Sequence, residues 1–189
     1  MLQLESVIKS MIDTTKDELN LFLNQVIYKK FKKNDLLSKP NIYPNEIFFI
    51  SKGLVRVTIL DKGGIEQTIH FALENHFISD YSSFIQKKPS IYSLQALEET
   101  EVYVLPRSLI EWGYKNMSEG QKLGRLIAEF YFMYQDDRIS NMYSRTPKER
   151  YDNITTVFPN IHNRVSQHMI ASYLGITPIH LSRLKNPKI

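Results

Sequence analysis

The sequence predicts an α+β fold: an N-terminal β-roll or barrel with flanking helices, one long helix, and a small all-helical C-terminal part. Three observations carry this. Residues 27–105 fall into short runs that alternate or are rich in β-branched side chains. A capped, proline-free stretch runs from Ser118 to Thr146, and residues 167–185 place short apolar stripes on either side of Gly175.

Composition narrows the function before any motif is considered. The chain has 189 residues, 42% of them hydrophobic, which is enough for a real core. It contains no cysteine, which removes disulfides, thiolate catalysis, cysteine-bound zinc and cysteine-ligated iron–sulfur clusters. No run of about 18 apolar residues is present, and the start lacks the apolar core of a signal peptide, so the expected location is the cytoplasm, away from the membrane. Ser-His-Asp spacing, a P-loop, an HExxH motif and a glycine-rich fingerprint are all missing. The adjacent pairs Glu98-Glu99 and Asp136-Asp137 point to different faces, as solvated charges do. The expectation is a protein that is not an enzyme and carries no cofactor or metal.

Along the chain, Thr15-Lys16-Asp17-Glu18 has capping-box spacing and precedes Leu19, Phe22, Leu23 and Val26, predicting a helix over 16–26. Strands are expected over 47–50, 54–60, 65–71, 92–97 and 102–105, with Asp61-Lys62-Gly63-Gly64 as a hairpin turn. Pro40, Pro44, Gly53 and Pro89 punctuate this region as strand ends and turns would. A short helix follows Pro106, over 107–115. Ser118-Glu119-Gly120-Gln121 repeats the capping-box spacing and opens the longest helix, with Leu123, Leu126, Ile127, Phe130, Met133, Tyr134 and Asp137 on one face. That stripe fits either core against the roll or a seam with a second copy. Thr146-Pro147-Lys148-Glu149 combines a cap, a proline at the first helical position and a reciprocal acid, and the helix it starts closes at Pro159. The segments are therefore 1–117, 118–145 and 146–189.

Residues 167–185 read as two short helices joined by a tight turn. Ile170, Ala171 and Leu174 fall at helical intervals; Gly175 can take the positive φ of a helix end, and Thr177-Pro178 supplies an N-cap and first helical position. Leu181 and Leu184 must face the core, leaving Pro178, Ile179, His180, Ser182, Arg183 and Lys185 to solvent. Either an αα-hairpin or a helix-turn-helix fits this spacing. Charge placement bears on the choice. Residues 146–189 carry six basic residues (Lys148, Arg150, Arg164, Arg183, Lys185, Lys188) against Glu149 and Asp152, which accounts for the whole net charge of +4. A basic segment around the turn motif is the footprint of a phosphate-contacting module.

The order resembles the cyclic-AMP receptor and fumarate-nitrate regulator (Crp/Fnr) family of bacterial transcription factors over nearly the whole chain. The residues that carry the resemblance are Phe49-Ile50-Ser51-Lys52-Gly53-Leu54-Val55-Arg56, Lys148-Glu149-Arg150-Tyr151, and Ile170-Ala171-Ser172-Tyr173-Leu174-Gly175-Ile176-Thr177-Pro178 followed by Leu181-Ser182-Arg183. The resemblance implies a cyclic-nucleotide-binding-like roll, a dimerisation helix carrying Leu123, Leu126, Ile127, Phe130, Met133 and Tyr134, and a winged-helix type helix-turn-helix. It also implies a homodimer, a palindromic double-stranded DNA operator, a small-molecule effector and RNA polymerase as a protein partner. Only four residues follow Lys185, so any wing lies before the motif or is minimal.

One departure from the family pattern matters more than the matches. Cyclic-nucleotide-binding members use a phosphate cassette with a Gly-Glu pair near its start and an arginine near its end. The corresponding stretch here, from His76 to Ala96, has neither glycine nor arginine. Ser79 or Asp80 stands near the glutamate and Ser90 about where the arginine would be, which makes Ser79, Asp80, Tyr81, Ser90 and Tyr92 the candidate effector pocket. Without the guanidinium a phosphate would be a poorly compensated buried charge, and Lys87 and Lys88 are poor geometric substitutes. The expectation is a regulator that does not bind cyclic AMP in the family's way. His70 and His76 could in principle ligate haem iron, yet isolated histidines in a β-roll are more often surface or hydrogen-bonded structural residues.

At the DNA end, phosphate contacts are expected from Arg164, Lys185 and Lys188, with Ser166 and Gln167 at the start of the first motif helix. Base reading falls to His180 and Arg183 beside Thr177, Pro178 and Ser182, with Ile179 able to touch a thymine methyl. The resemblance places a base-reading arginine at Arg183, and Ile179 stands where many relatives have glutamate. The competing reading is a degenerate ligand-binding or protein-interaction module without specific DNA binding.

Overall fold

Two strands form the spine of the structure because both of their faces are apolar. In β3 (Glu46–Lys52) and β8 (Thr100–Pro106), Phe48, Ile50, Val102 and Val104 turn into the roll, while Phe49, Tyr103 and Leu105 turn outward beneath a layer of helices. Alternation of this kind is what a strand buried on both sides requires. The computed structural model describes residues 1–185. Its N-terminal part is built from α1 (Leu2–Met11), α2 (Lys16–Leu23), β1 (Ile27–Phe31), β2 (Leu36–Ser38), β3, β4 (Val55–Leu60), β5 (Glu66–Ala72), β6 (Phe77–Ile78), α3 (Tyr81–Gln86), β7 (Tyr92–Ala96), β8 and α4 (Arg107–Asn116). The strands form two antiparallel sheets, ordered β1-β8-β3-β6 and β2-β7-β4-β5. Phe48, Ile50, Val55, Leu94 and Val104 fill the space between them.

Several elements were not foreseen. The helix α1 buries Leu4 and Ile8 against the outer face of Phe49, a contact readable only as a short four-residue spacing. β1 carries two lysines and lies at a sheet edge with little burial, where charge blunts unwanted pairing. β6 has only two residues, and α3 is a single capped turn and a half. The helix predicted over 16–26 ends at Leu23, because the chain tightens there with Gln25 and Val26 donating to Phe22 and Leu23.

The long helix α5 (Gly120–Ser144) starts later than predicted, and Ser118 does not cap it. Instead the Ser118 N–H and hydroxyl both donate to Glu18, at 2.9 and 3.2 Å, the same carboxylate that closes the capping box of α2 with Thr15. One acid therefore fixes the start of α2 and the α4–α5 turn. Four helices complete the described chain: α6 (Pro147–Val157), α7 (Ile161–Arg164), α8 (Gln167–Leu174) and α9 (Pro178–Lys185). Among the described residues no strand follows β8, so the wing implied by the resemblance is not seen there; α7 fills the stretch where one would precede the motif. No helix of the described residues is long and apolar enough to cross a membrane.

Gly53 sits between β3 and β4 with φ +99, and an added Cβ would lie 2.6 Å from Thr100 Oγ1 and 2.7 Å from the Glu99 carbonyl oxygen. Both the backbone region and the space admit only glycine. Gly53→Ala should cost about 1–3 kcal/mol from backbone strain alone, with the clash in addition. Thermal denaturation of the variant should show a midpoint several degrees lower; an unchanged midpoint would contradict this account of the turn.

Candidate nucleic-acid interface and effector cavity

The α8–α9 unit is positioned by its caps. Ser166 Oγ accepts from the Met169 N–H at 3.3 Å, and Ile170, Ala171 and Leu174 are buried. Gly175 takes φ +68, donating to the Ala171 and Ser172 carbonyls, and the Ile176 N–H also returns to Ala171. This double return closes α8 in the manner of a Schellman end. Thr177 Oγ1 then accepts from the His180 N–H at 3.1 Å and starts α9. Leu181 is buried, Leu184 is half-buried, and Pro178, Ile179, His180, Ser182, Arg183 and Lys185 are exposed as the spacing predicts. Arg150 ties this unit to α5, donating to the carbonyls of Arg145 and Leu174 at 2.7 and 3.2 Å.

The basic footprint is narrower than the charge count suggests. Arg164, expected at a phosphate, is bound within the protein: its Nη2 lies 2.8 Å from Glu74 Oε1 and 2.5 Å from Glu98 Oε1, and its Nη1 donates to Glu74 Oε2 at 3.0 Å. The bonds to Glu74 hold its pKa above the usual arginine value. In this conformation it is a clamp between α7 and the roll, not a DNA contact. Lys148 pairs with Asp152, and Arg150 is spent on carbonyls. Within the described part of the 146–189 segment, Arg183 and Lys185 are the basic residues left with neither an acidic nor a carbonyl partner. Ser166 Oγ is occupied as a cap, and Gln167 is only half-exposed. Lys188 lies outside the described residues.

The C-terminal helices share a core with the roll. Phe71 on β5 packs edge-on against Phe158 at 5.6 Å, and Phe158 against Tyr173 at 5.2 Å, within a cluster that includes Leu54, Leu97, Ile154 and Ile170. The Thr68 N–H donates to Ser172 Oγ at 2.8 Å, so α8 lies directly against β5.

The stripe read as a dimer seam divides between two faces. Leu123, Leu126, Ile127 and Tyr134 pack against the protein's own core, because α5 lies along the roll. Phe130 and Met133 remain exposed, and the apolar side chains most open to solvent on this helix are Phe132, Met133, Ile139 and Tyr143, at 73, 58, 54 and 90%. A single stripe gives no indication of which side the roll occupies.

Between the roll, α3 and α5 lies a cavity of about 390 Å³. Ser79, Asp80, Tyr81 and Tyr92 line it as expected, but Ser90 does not. Its hydroxyl is buried and turned to Tyr92, accepting from the N–H at 3.0 Å and donating to the carbonyl at 3.2 Å, a turn-forming role. Ser79 Oγ donates to the Glu46 carbonyl at 2.9 Å. Asp80 caps α3, Oδ1 accepting from the Ser83 N–H at 3.0 Å. Sequence reasoning missed His70, Tyr131 and Phe132, which line the same cavity. His70 is buried, and Nδ1 shares a 2.7 Å hydrogen bond with the Tyr134 hydroxyl, which in turn lies 3.1 Å from the Tyr173 hydroxyl of α8. Burial, with lesser contributions from His76 and Arg138, pushes the His70 pKa down to about 3.

Residues 28–116 match the cyclic nucleotide-binding domain family. No curated protein matches the sequence. Among solved structures the chain resembles FixK2 from Bradyrhizobium japonicum (17% identity, 85% of this chain and 82% of that one, TM-score 0.70). It also resembles a protein assigned to the Crp/Fnr family of transcriptional regulators from Eubacterium rectale (16%, 90% and 81%, 0.70), and the c-di-GMP-responsive global regulator CLP of Xanthomonas campestris (11%, 90% and 89%, 0.67). The chain thus has the fold of these regulators, with residues 28–116 similar to a cyclic nucleotide-binding domain.

His70 makes stability depend on pH in a defined direction. Its folded pKa is depressed, so the unfolded chain takes up a proton near pH 6.5 that the folded chain refuses until about pH 3. The contribution is full above pH 6.5 and is lost on acidification, by about 1.4 kcal/mol per pH unit. Urea unfolding should show that His70→Gln removes about 2 kcal/mol of the difference between pH 7 and pH 5. An equally steep pH dependence in the variant would contradict the assignment.

Proposed function

We propose, from a roll of the cyclic nucleotide-binding family joined to a helix-turn-helix in the Crp/Fnr fold, that this chain is a homodimeric, sequence-specific DNA-binding transcription regulator. The observation that carries the reading is the exposed face of α9: a helix started by Thr177 after a glycine turn, buried only at Leu181, with His180, Arg183 and Lys185 on its open side. In a helix-turn-helix that face enters the major groove. Arg183 takes guanine O6 and N7, and Ile179, at 68% exposure, touches a thymine methyl. Two fold relatives, a protein assigned to the Crp/Fnr transcriptional regulators and a global regulator of virulence gene expression, have roles of this kind.

The support for dimerisation lies on α5. Phe132, Met133, Ile139 and Tyr143 form an exposed apolar run on a helix whose other side is already packed, and a second copy of the same helix buries it. A two-fold dimer presents two α9 helices about 34 Å apart, so the operator is an imperfect palindrome.

Cyclic AMP is not the signal in this reading, because no lysine or arginine lines the cavity and Asp80 does. The competing module without DNA binding draws its support from the docked state of α7 and α8, with Arg164 held on Glu74 and Glu98. Selection from genomic fragments followed by a mobility shift at stated salt separates the two, since only a regulator enriches a palindrome.

On the selected site, Arg183→Ala should cost about 1–3 kcal/mol and relax preference at one base pair per half-site; an unchanged binding profile refutes the role. Ile139→Glu with Tyr143→Glu should give a monomer by sedimentation and weaken operator binding. A variant that remains dimeric places the interface elsewhere.

A further inference from the structure

The cavity between the roll and α5 has a chemistry opposite to that of a phosphate site. Its volume of about 390 Å³ suits a small organic molecule. Its walls are largely aromatic and aliphatic, with Phe77, Tyr81, Tyr92, Tyr131 and Phe132 supplying rings. The only carboxylate in the lining is Asp80, and His70, the other residue there that could carry charge near neutral pH, is held neutral by burial. An anion entering this space would meet a buried negative charge and no cation.

Asp80 is 5% exposed, and its two oxygens have different roles. Oδ1 caps α3. Oδ2 is buried with no hydrogen-bond partner, as are His70 Nε2 and Tyr131 Oη in the same lining. A helix cap needs one oxygen, and serine or asparagine supplies it as well as aspartate. The second oxygen is therefore surplus to the fold, and a buried acceptor of this kind calls for a donor.

We propose that the cavity binds an organic cation, a protonated amine on a flat apolar body, with the ammonium donating to Asp80 Oδ2 and the body among the aromatic rings. Ring faces attract a cation as well as an apolar surface, so both ends of such a molecule are matched. The inference rests on the reading of the roll as the effector domain of a DNA-binding regulator, and it names the class of effector.

Phenethylamine, phenethyl alcohol, phenylacetate and cyclic AMP form a test series, measured by calorimetry and thermal shift on the full chain. The amine should bind about tenfold or more tighter than the neutral alcohol and raise the melting temperature, while phenylacetate and cyclic AMP produce no shift. Asp80→Asn keeps the cap and removes the charge, so its own melting temperature should stay close to that of the parent while the preference for amine over alcohol disappears. Equal binding of the alcohol or the acid, binding of cyclic AMP, no binding of the amine, or an amine preference that survives in Asp80→Asn each overturns the proposal. A mobility shift on the same preparation keeps the two readings apart. DNA binding without amine binding fails only this inference, and amine binding without DNA binding fails only the regulator.

Discussion

The placement of the C-terminal helices depends on one carboxylate. Glu74 Oε1 accepts from the Gly53 N–H at 3.0 Å, closing the β3–β4 turn, and from Arg164 Nη2 at 2.8 Å. Oε2 accepts from Arg164 Nη1, and Glu98 adds a further acceptor. The forked geometry fixes direction as well as distance, so α7 cannot slide along the roll without losing several charge-assisted bonds together. The group is partly exposed, with 20% of the Arg164 side chain open to solvent, which moderates its strength but not its specificity. The larger energy lies in the apolar contact it aligns, where Phe71, Phe158 and Tyr173 meet between β5 and α8. Since α9 follows α8 through the hydrogen-bonded turn at Gly175, the position of the exposed basic face is set from the roll.

Helix α5 serves three surfaces at once, and its low amphipathicity is the result. One side completes the core under Leu123, Leu126 and Ile127. Farther along, Tyr134 enters the aromatic cluster beside Phe158 and Tyr173, and Arg138 lies 5.1 Å from the Tyr173 ring. The remaining side shows Phe132, Met133, Ile139 and Tyr143 to solvent. The cavity shares this wall, since Tyr131 and Phe132 line it. From His70 the hydroxyls of Tyr134 and Tyr173 form a continuous path into α8. The cavity and the α8–α9 unit are thus joined through two tyrosines rather than through a loop.

What the sequence made legible follows from local physics. Strands β3, β4, β5, β7 and β8 were readable because their side chains alternate or are β-branched, and the caps at Thr15, Thr146 and Thr177 act within three residues. The misses share a different cause. Ser118 has a capping-box neighbour, yet its donors go to Glu18, 100 residues earlier. Arg164 looked free because its partners, Glu74 and Glu98, lie 90 and 66 residues away. The apolar residues of α5 proved to divide between the protein's own core and solvent, because a helical period shows that a face is apolar, not what covers it. In the cavity, Asp80 and Tyr92 were found through the missing phosphate cassette, whereas His70 and Tyr131 carry no local signal and are brought there by the register of β5 and the course of α5.

The economy of charge on α9 bears on how such a protein would find its site. Non-specific attraction to DNA grows with the number of phosphates neutralised, each contributing a slope of about −0.9 to the salt dependence. Among the described basic residues of the last segment, Lys148 and Arg164 are paired with acids and Arg150 is bound to carbonyls, which leaves Arg183 and Lys185, and the proposed reading assigns Arg183 to a base rather than a phosphate. A single docked protomer therefore has little purchase on the backbone. In the dimer proposed above, two protomers across α5 double it, and backbone amides at the N-terminus of α8 add contacts that carry no net charge. On that proposal the balance leaves base contacts, not bulk electrostatics, to supply most of the binding energy at the operator. It also gives the Arg164 clamp a second consequence: while Glu74 and Glu98 hold that guanidinium, the surface has one fewer charge to offer to DNA.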